Sequence, residues 1–164
     1  MRTTLLLLLL CYLSIGYAQE KAADFTLKNT KDEEVSLSSF SGKVIVLEWF
    51  TTWCTKCREA FPELKPFLNK INREYAEKGV VVMAINLDKK EPEKVKAFAE
   101  KKGMEYTLLL DPEGITGKSY SLKTLPLLIV ICKDGTIAKK FPGYTKGTTI
   151  KDLQQTLDAL VEKK

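Results

Sequence analysis

Histidine is absent from all 164 residues, and cysteine occurs only four times. Zinc sites commonly take four ligands from paired cysteines or histidines. With no imidazole and a single close cysteine pair, Cys54 and Cys57, such a centre lacks its donors, and copper delivery through histidine lacks them too. No metal and no organic cofactor is expected. A large charge imbalance is also missing: 26 Lys and Arg against 21 Asp and Glu leave +5, with lysines and glutamates interleaved along candidate helix faces. That pattern is a solvated surface and not a nucleic-acid footprint. Neither repeats nor low-complexity tracts are present, so nothing calls for a second domain.

The one extended apolar stretch lies at the N-terminus. Arg2 supplies a positive start, Leu5 to Ile15 are almost wholly apolar, and Gly16-Tyr17-Ala18 offers small residues before a cut at Gln19. This is the pattern of a secretory signal peptide. It falls short of the roughly 20 residues that span a bilayer, although an uncleaved anchor facing the periplasm is the alternative. Leu10 before Cys11 argues against a lipoprotein signal. Residues 1–18 are therefore expected to be a signal peptide and 19–164 a single exported, periplasmic domain. A hydrophobic content of 45% and a charged content of 29% suit a soluble core of ordinary size.

Along the chain, Phe25–Leu27 and Val35–Leu37 flank a polar turn and predict a hairpin. Val44–Phe50 is apolar on both parities except at Glu48, the pattern of a central strand buried on both faces. After Cys54, apolar residues at 60, 61, 64, 67, 68, 71 and 75 trace one face of a helix, kinked by Pro62 and ended by Gly79. Val80–Leu87 predicts a strand, Pro92 to Gly103 a helix, Tyr106–Leu110 a strand, and Asp111–Gly114 a turn. A short segment, Ile115–Leu122, leads to a hairpin of Leu127–Cys132 with Thr136–Phe141, and an amphipathic helix through Ile150, Leu153, Leu157 and Val161 closes the chain. Hairpin, βαβαβ, then ββα implies an α/β fold, a central mixed sheet flanked by helices on both faces.

The strand-to-helix junction puts Cys54 at a helix N-terminus, where unpaired N–H groups and the dipole favour a thiolate. Cys57 follows about one turn later on the same face, behind it. Cys54 is thus the expected nucleophile and Cys57 the resolving thiol. Lys56 either favours the thiolate further or is simply solvated. Glu48 precedes Cys54 by six residues among apolar neighbours. If buried, its desolvated carboxyl has a raised pKa suited to exchanging a proton with Cys57; if the strand is partly open, it faces water.

These residues resemble the exported thioredoxin-like thiol-disulfide oxidoreductases of the TlpA and ResA type, within the redoxins. The resemblance runs from Asp24-Phe25-Thr26-Leu27 to the last helix. It includes Gly42-Lys43, Trp53-Cys54-Thr55-Lys56-Cys57, Pro62, the strand-helix insert before Asp111, and Leu125-Pro126 with Gly135 nine residues beyond. It implies a cis peptide at Leu125-Pro126, with the backbone of Leu125 pairing with a docked substrate. It also implies Cys54, Cys57 and Glu48 as catalytic residues. Three positions depart from the family. Glu48 stands where thioredoxins carry aspartate, Thr55-Lys56 lacks a proline before the second cysteine and so retunes the redox pair, and Ala60 replaces a frequent glutamate.

By this resemblance the protein is an enzyme that exchanges disulfides with protein thiol substrates, and a monomer is expected. Reduction is the expected direction, with a membrane thiol transporter as electron donor, in cell redox homeostasis or cytochrome c maturation. Two rival readings share the fold. A thiol peroxidase of the peroxiredoxin group is half supported, since Thr51 lies three before Cys54 but Leu47 stands where proline is expected. The other is a redox-inactive binding domain. Cys132 follows Leu128 and Val130 on one strand parity and is expected to be a small buried hydrophobe. Trp53 either belongs to the substrate-docking surface or covers the active-site turn.

Overall fold

The computed structural model describes residues 19–89 and 92–162; the expected signal peptide, residues 1–18, lies outside them. Its strands are β1 (Thr26–Asn29), β2 (Glu34–Ser36), β3 (Val44–Phe50), β4 (Val80–Asn86), β5 (Thr107–Leu110), β6 (Leu127–Ile131) and β7 (Ile137–Pro142). The helices are α1 (Thr55–Glu74), α2 (Pro92–Lys101), α3 (Ile115–Ser119) and α4 (Thr149–Glu162). The expected order of elements is present. The strands form one mixed sheet in the order β2-β1-β5-β4-β3-β6-β7. Parallel β5, β4 and β3 make its centre, while β1 and β6 join it antiparallel.

All seven residues of β3 are buried, as its unbroken apolar pattern requires of a strand covered on both faces. Alternation then sorts its side chains. Val44, Val46 and Phe50 pack with Leu64, Leu68 and Ile71 of α1, Val95 of α2, and Leu153 and Leu157 of α4. Ile45, Leu47 and Trp49 pack on the opposite face with Phe25, Leu37 and Tyr120. The three longer helices thus share one face, and the other is closed by the N-terminal segment, a 3-10 turn at Leu37–Phe40 and the region of α3. Burial of each such side chain stabilises the fold by about 1.5–3 kcal/mol.

Local chemistry moves several boundaries. Leu37 opens the 3-10 turn and does not extend β2. α1 ends at Glu74, short of Gly79; a 3-10 turn at Ala76–Lys78 intervenes, and Gly79 closes that turn at φ 78°, a conformation that suits glycine. Pro62 and Pro66 both lie inside α1 on its exposed side, so the missing N–H groups leave the buried face intact. The segment after Asp111 holds α3, whose first N–H groups, Ile115 and Thr116, donate to the Asp111 carboxylate at 2.9 and 2.8 Å. The Thr116 hydroxyl also donates to Asp111 at 2.6 Å and accepts from Trp49 Nε1 at 2.8 Å, tying this loop to the central strand.

Candidate active site

The β3–α1 junction holds the cysteine pair. Thr52 anchors the turn: its N–H and hydroxyl both donate to Asp88, just past β4, at 3.2 and 2.5 Å. Cys54 is the N-cap of α1, with φ −65° and ψ 115°, and its Sγ accepts the Cys57 N–H at 3.1 Å. That role usually falls to an oxygen of Ser, Thr, Asp or Asn. A sulfur in this place faces the positive end of the helix, which favours its anionic form. Cys54 and Cys57 are disulfide-bonded, with Cα atoms 5.3 Å apart, ordinary for such a bridge. Cys54 is half-buried and Cys57 fully buried, so a macromolecular partner reaches the first sulfur only.

The Leu125-Pro126 peptide is cis, as the resemblance implied. A groove beside the pair is lined by Trp53, Cys54, Lys56, Leu122, Lys123 and Leu125. Pro126 is buried and its carbonyl accepts from the Gly143 N–H at 2.8 Å. Among the described residues, no backbone hydrogen bond engages Leu125. Trp53 is 70% exposed and lines this groove. Thr55 is exposed, and Lys56 pairs with Glu59 at 3.1 Å, which directs its charge along the helix surface.

On β3, six residues before Cys54, Glu48 has no exposed surface. Its register partners are Ala84 on β4 and Leu128 on β6, and its parity is that of Val46 and Phe50, towards α1. The Tyr106 hydroxyl donates to Oε2 at 3.2 Å, whereas Oε1 has no hydrogen-bond partner. Burial holds the Glu48 carboxyl above its usual range, opposed by the charge of Lys65 and the Tyr106 hydrogen bond. Lys65 is itself only 3% exposed. Its Nζ makes no hydrogen bond and lies over the rings of Phe61, Phe50 and Phe98 at 4.0, 5.1 and 5.8 Å. Burial lowers the Lys65 pKa, and the Glu48 charge opposes that. Burial likewise lifts the Tyr106 phenol well above its ordinary value.

Lys65 and Tyr106 are absent from the sequence-derived site. Lys65 carried a readable signal, since it lies four positions after Phe61 and three before Leu68, on the inward face of α1. Tyr106 carried none: only the turn of the chain just before β5 brings it to β3.

Cys132 corrects an expectation. It is free and half-buried, not buried. β6 keeps its alternation but ends at Ile131, so strand parity no longer governs the next residue. Cys132 instead starts the hairpin turn, its N–H donating to the Thr136 carbonyl at 2.8 Å. It lines a cavity with Leu37, Ile45 and Ile131 at the opposite end of β3 from the disulfide.

The chain resembles proteins that carry out thiol chemistry. It is 30% identical to the thiol-disulfide oxidoreductase ResA of Geobacillus thermodenitrificans, over 98% of this chain and 94% of that one. It is 31% identical to the thioredoxin-like protein YneN of Bacillus subtilis, over 85% and 78%. A solved structure from Chlorobium tepidum, described as a DsbE-type thiol:disulfide interchange protein, superposes with a TM-score of 0.78 at 30% identity, covering 87% of this chain and 96% of that one. The redoxin family profile matches residues 17–157. The chain belongs to the redoxin family and is a thiol-disulfide oxidoreductase of thioredoxin-like fold.

Proposed function

We propose that this oxidoreductase reduces disulfides in exported proteins through Cys54 and Cys57. The observation that carries the reading is the asymmetry of the pair: an accessible sulfur at the helix N-cap and a buried one directly behind it. The Cys54 thiolate attacks one sulfur of a substrate disulfide, forming a mixed disulfide and releasing the other substrate sulfur as a thiolate that takes a proton from water. Cys57 then gives its proton to the Glu48 carboxylate and attacks Cys54. The Cys54–substrate bond breaks, the Cys54–Cys57 bond forms, and the second substrate thiolate leaves and is protonated. Two electrons have passed from the enzyme dithiol to the substrate disulfide.

The groove supports a polypeptide substrate. Trp53 offers an exposed apolar face and Leu125 an unengaged backbone edge, to which an extended strand can add by main-chain hydrogen bonds. The reductive direction is supported by Glu48: whenever this buried carboxyl is ionised it disfavours a second negative charge on a nearby sulfur, which stabilises the disulfide and makes the dithiol the better donor. The apolar N-terminal stretch supports export to the periplasm, and among the described residues no helix is long and apolar enough to cross a membrane. A membrane thiol transporter is then the electron source, and envelope proteins, including apocytochrome c with its heme-attachment cysteines, are the substrates.

Insulin reduction tests the reading. Cys54→Ser abolishes it, and Cys57→Ser accumulates a mixed disulfide visible on a non-reducing gel; two active single variants would refute the mechanism. Equilibration with glutathione decides direction. A potential near or below about −250 mV marks a reductant, and one near about −120 mV an oxidant.

A further inference from the structure

Four buried polar atoms among the described residues are left without hydrogen-bond partners: Glu48 Oε1, Lys65 Nζ, Thr51 Oγ1 and Asn86 Nδ2; only the first two belong to groups that can carry charge. An unpaired buried ammonium is costly, and a purely structural site on α1 is better filled by leucine, as at Leu64 and Leu68 on either side. The lysine is not swinging out to solvent either, since it keeps 3% exposure with its nitrogen 4.0 Å from the Phe61 ring. Three aromatic faces, of Phe61, Phe50 and Phe98, surround that nitrogen. Such faces attract a cation, most strongly where water is excluded.

We propose that Lys65 is a positioning residue for proton transfer from Cys57: its ring-caged ammonium is the cation that lets Glu48 carry a negative charge inside the core. The inference rests on the reading of Glu48 as the proton acceptor. Other groups around Glu48 cannot take this part. Tyr106 donates one hydrogen bond but is neutral, Ala84 and Leu128 on the flanking strands are apolar, and Cys57 is the proton donor. From α2 the layer receives Val95 and Phe98, and from α4 Leu153 and Leu157, all uncharged. Lys102, just past α2, is the other cation acting on Lys65; it lies over the Phe98 ring at 5.9 Å and is exposed. It disfavours the Lys65 charge, which the cage and Glu48 restore.

The consequence is a pH effect of definite sign. Without a nearby cation the Glu48 carboxyl holds its proton to higher pH, so the basic form needed by Cys57 arrives later. Mixing the reduced protein with a chromogenic aryl disulfide in stopped flow isolates the step: release of the second aryl thiolate reports attack of Cys57 on the Cys54 mixed disulfide. Followed from about pH 5 to about pH 9, the wild-type rate rises along a limb set by Glu48. Lys65→Met, which keeps the stem and loses the charge, moves that limb up by about 1 pH unit and slows release about tenfold near neutral pH. Lys65→Gln does the same if the Met protein folds poorly. In a Glu48→Gln background the limb is lost and Lys65→Met shifts nothing further. A limb unmoved by both Lys65 variants, or a shift that persists without Glu48, overturns the role of Lys65. A limb that survives Glu48→Gln overturns the Glu48 reading itself, a separate outcome.

Discussion

The Tyr106 hydroxyl donates a 3.2 Å hydrogen bond to Glu48 across 58 positions of sequence, in the layer between the sheet and α1. One neutral hydrogen bond leaves half of a buried carboxylate unsatisfied, which is expensive in a fold whose net stability is small. A group kept under these terms makes its presence felt in the pH dependence of stability.

Burial raises the folded pKa of Glu48 above its ordinary value of 4.5. Below that value both folded and unfolded chains hold the proton and Glu48 carries no penalty. Between it and the higher folded pKa, the unfolded chain has released the proton while the folded one keeps it, so stability falls as pH rises. Glu48→Gln removes this titration. Its melting temperature relative to wild type should be higher at about pH 8 than at about pH 4, by about 2–4 °C for each kcal/mol involved. An equal offset at both pH values contradicts the assignment.

Trp53 is exposed beside Cys54 and makes no contribution to the buried core. Trp53→Ala should therefore leave the melting temperature unchanged and raise KM for a protein disulfide about fivefold or more, since a lost aromatic anchor commonly costs more than about 1 kcal/mol. Reduction of a small soluble disulfide should keep its rate. Parallel losses with both substrates would place the ring in the chemistry and not in docking.

Thr52 holds the turn before the cysteines through two bonds to the Asp88 carboxylate. Thr52→Val keeps the shape and the N–H but loses the shorter bond. A hydrogen bond to a charged group is worth about 1.5–3 kcal/mol, and a loss near the lower end is expected because Asp88 is half-buried. Urea unfolding measures it; an unchanged midpoint removes Asp88 as the anchor.

Leu68 is fully buried on α1 against the sheet. Leu68→Ala should destabilise the domain by about 2–5 kcal/mol through lost burial and the cavity left behind, read as a lower denaturant midpoint at constant slope. Disulfide exchange in the folded fraction should persist, because this residue lies more than three turns beyond Cys54.

Periodicity alone carried much of the architecture. A strand buried on both faces was legible in Val44–Phe50 because every position is apolar but one, and that one, Glu48, stood out for the same reason. The spacing of Cys54 and Cys57 after that strand specified a helix N-terminus, an inner sulfur and an outer one, since those follow from 3.6 residues per turn. Short-range chemistry was less legible where a tight turn replaced a strand end, as at Leu37 and Cys132. The end of β6 at Ile131, one residue early, undid the parity argument for Cys132.

What composition and spacing settled was therefore the kind of chemistry and the two sulfurs that perform it. Folding in three dimensions chose the surroundings: Tyr106 from before β5, Lys65 from the middle of α1 and the cis peptide before β6 converge on the ends and faces of β3. Those meetings depend on sheet order and on which face each helix covers. Both are decided by long-range packing, to which nearest-neighbour sequence preferences are blind.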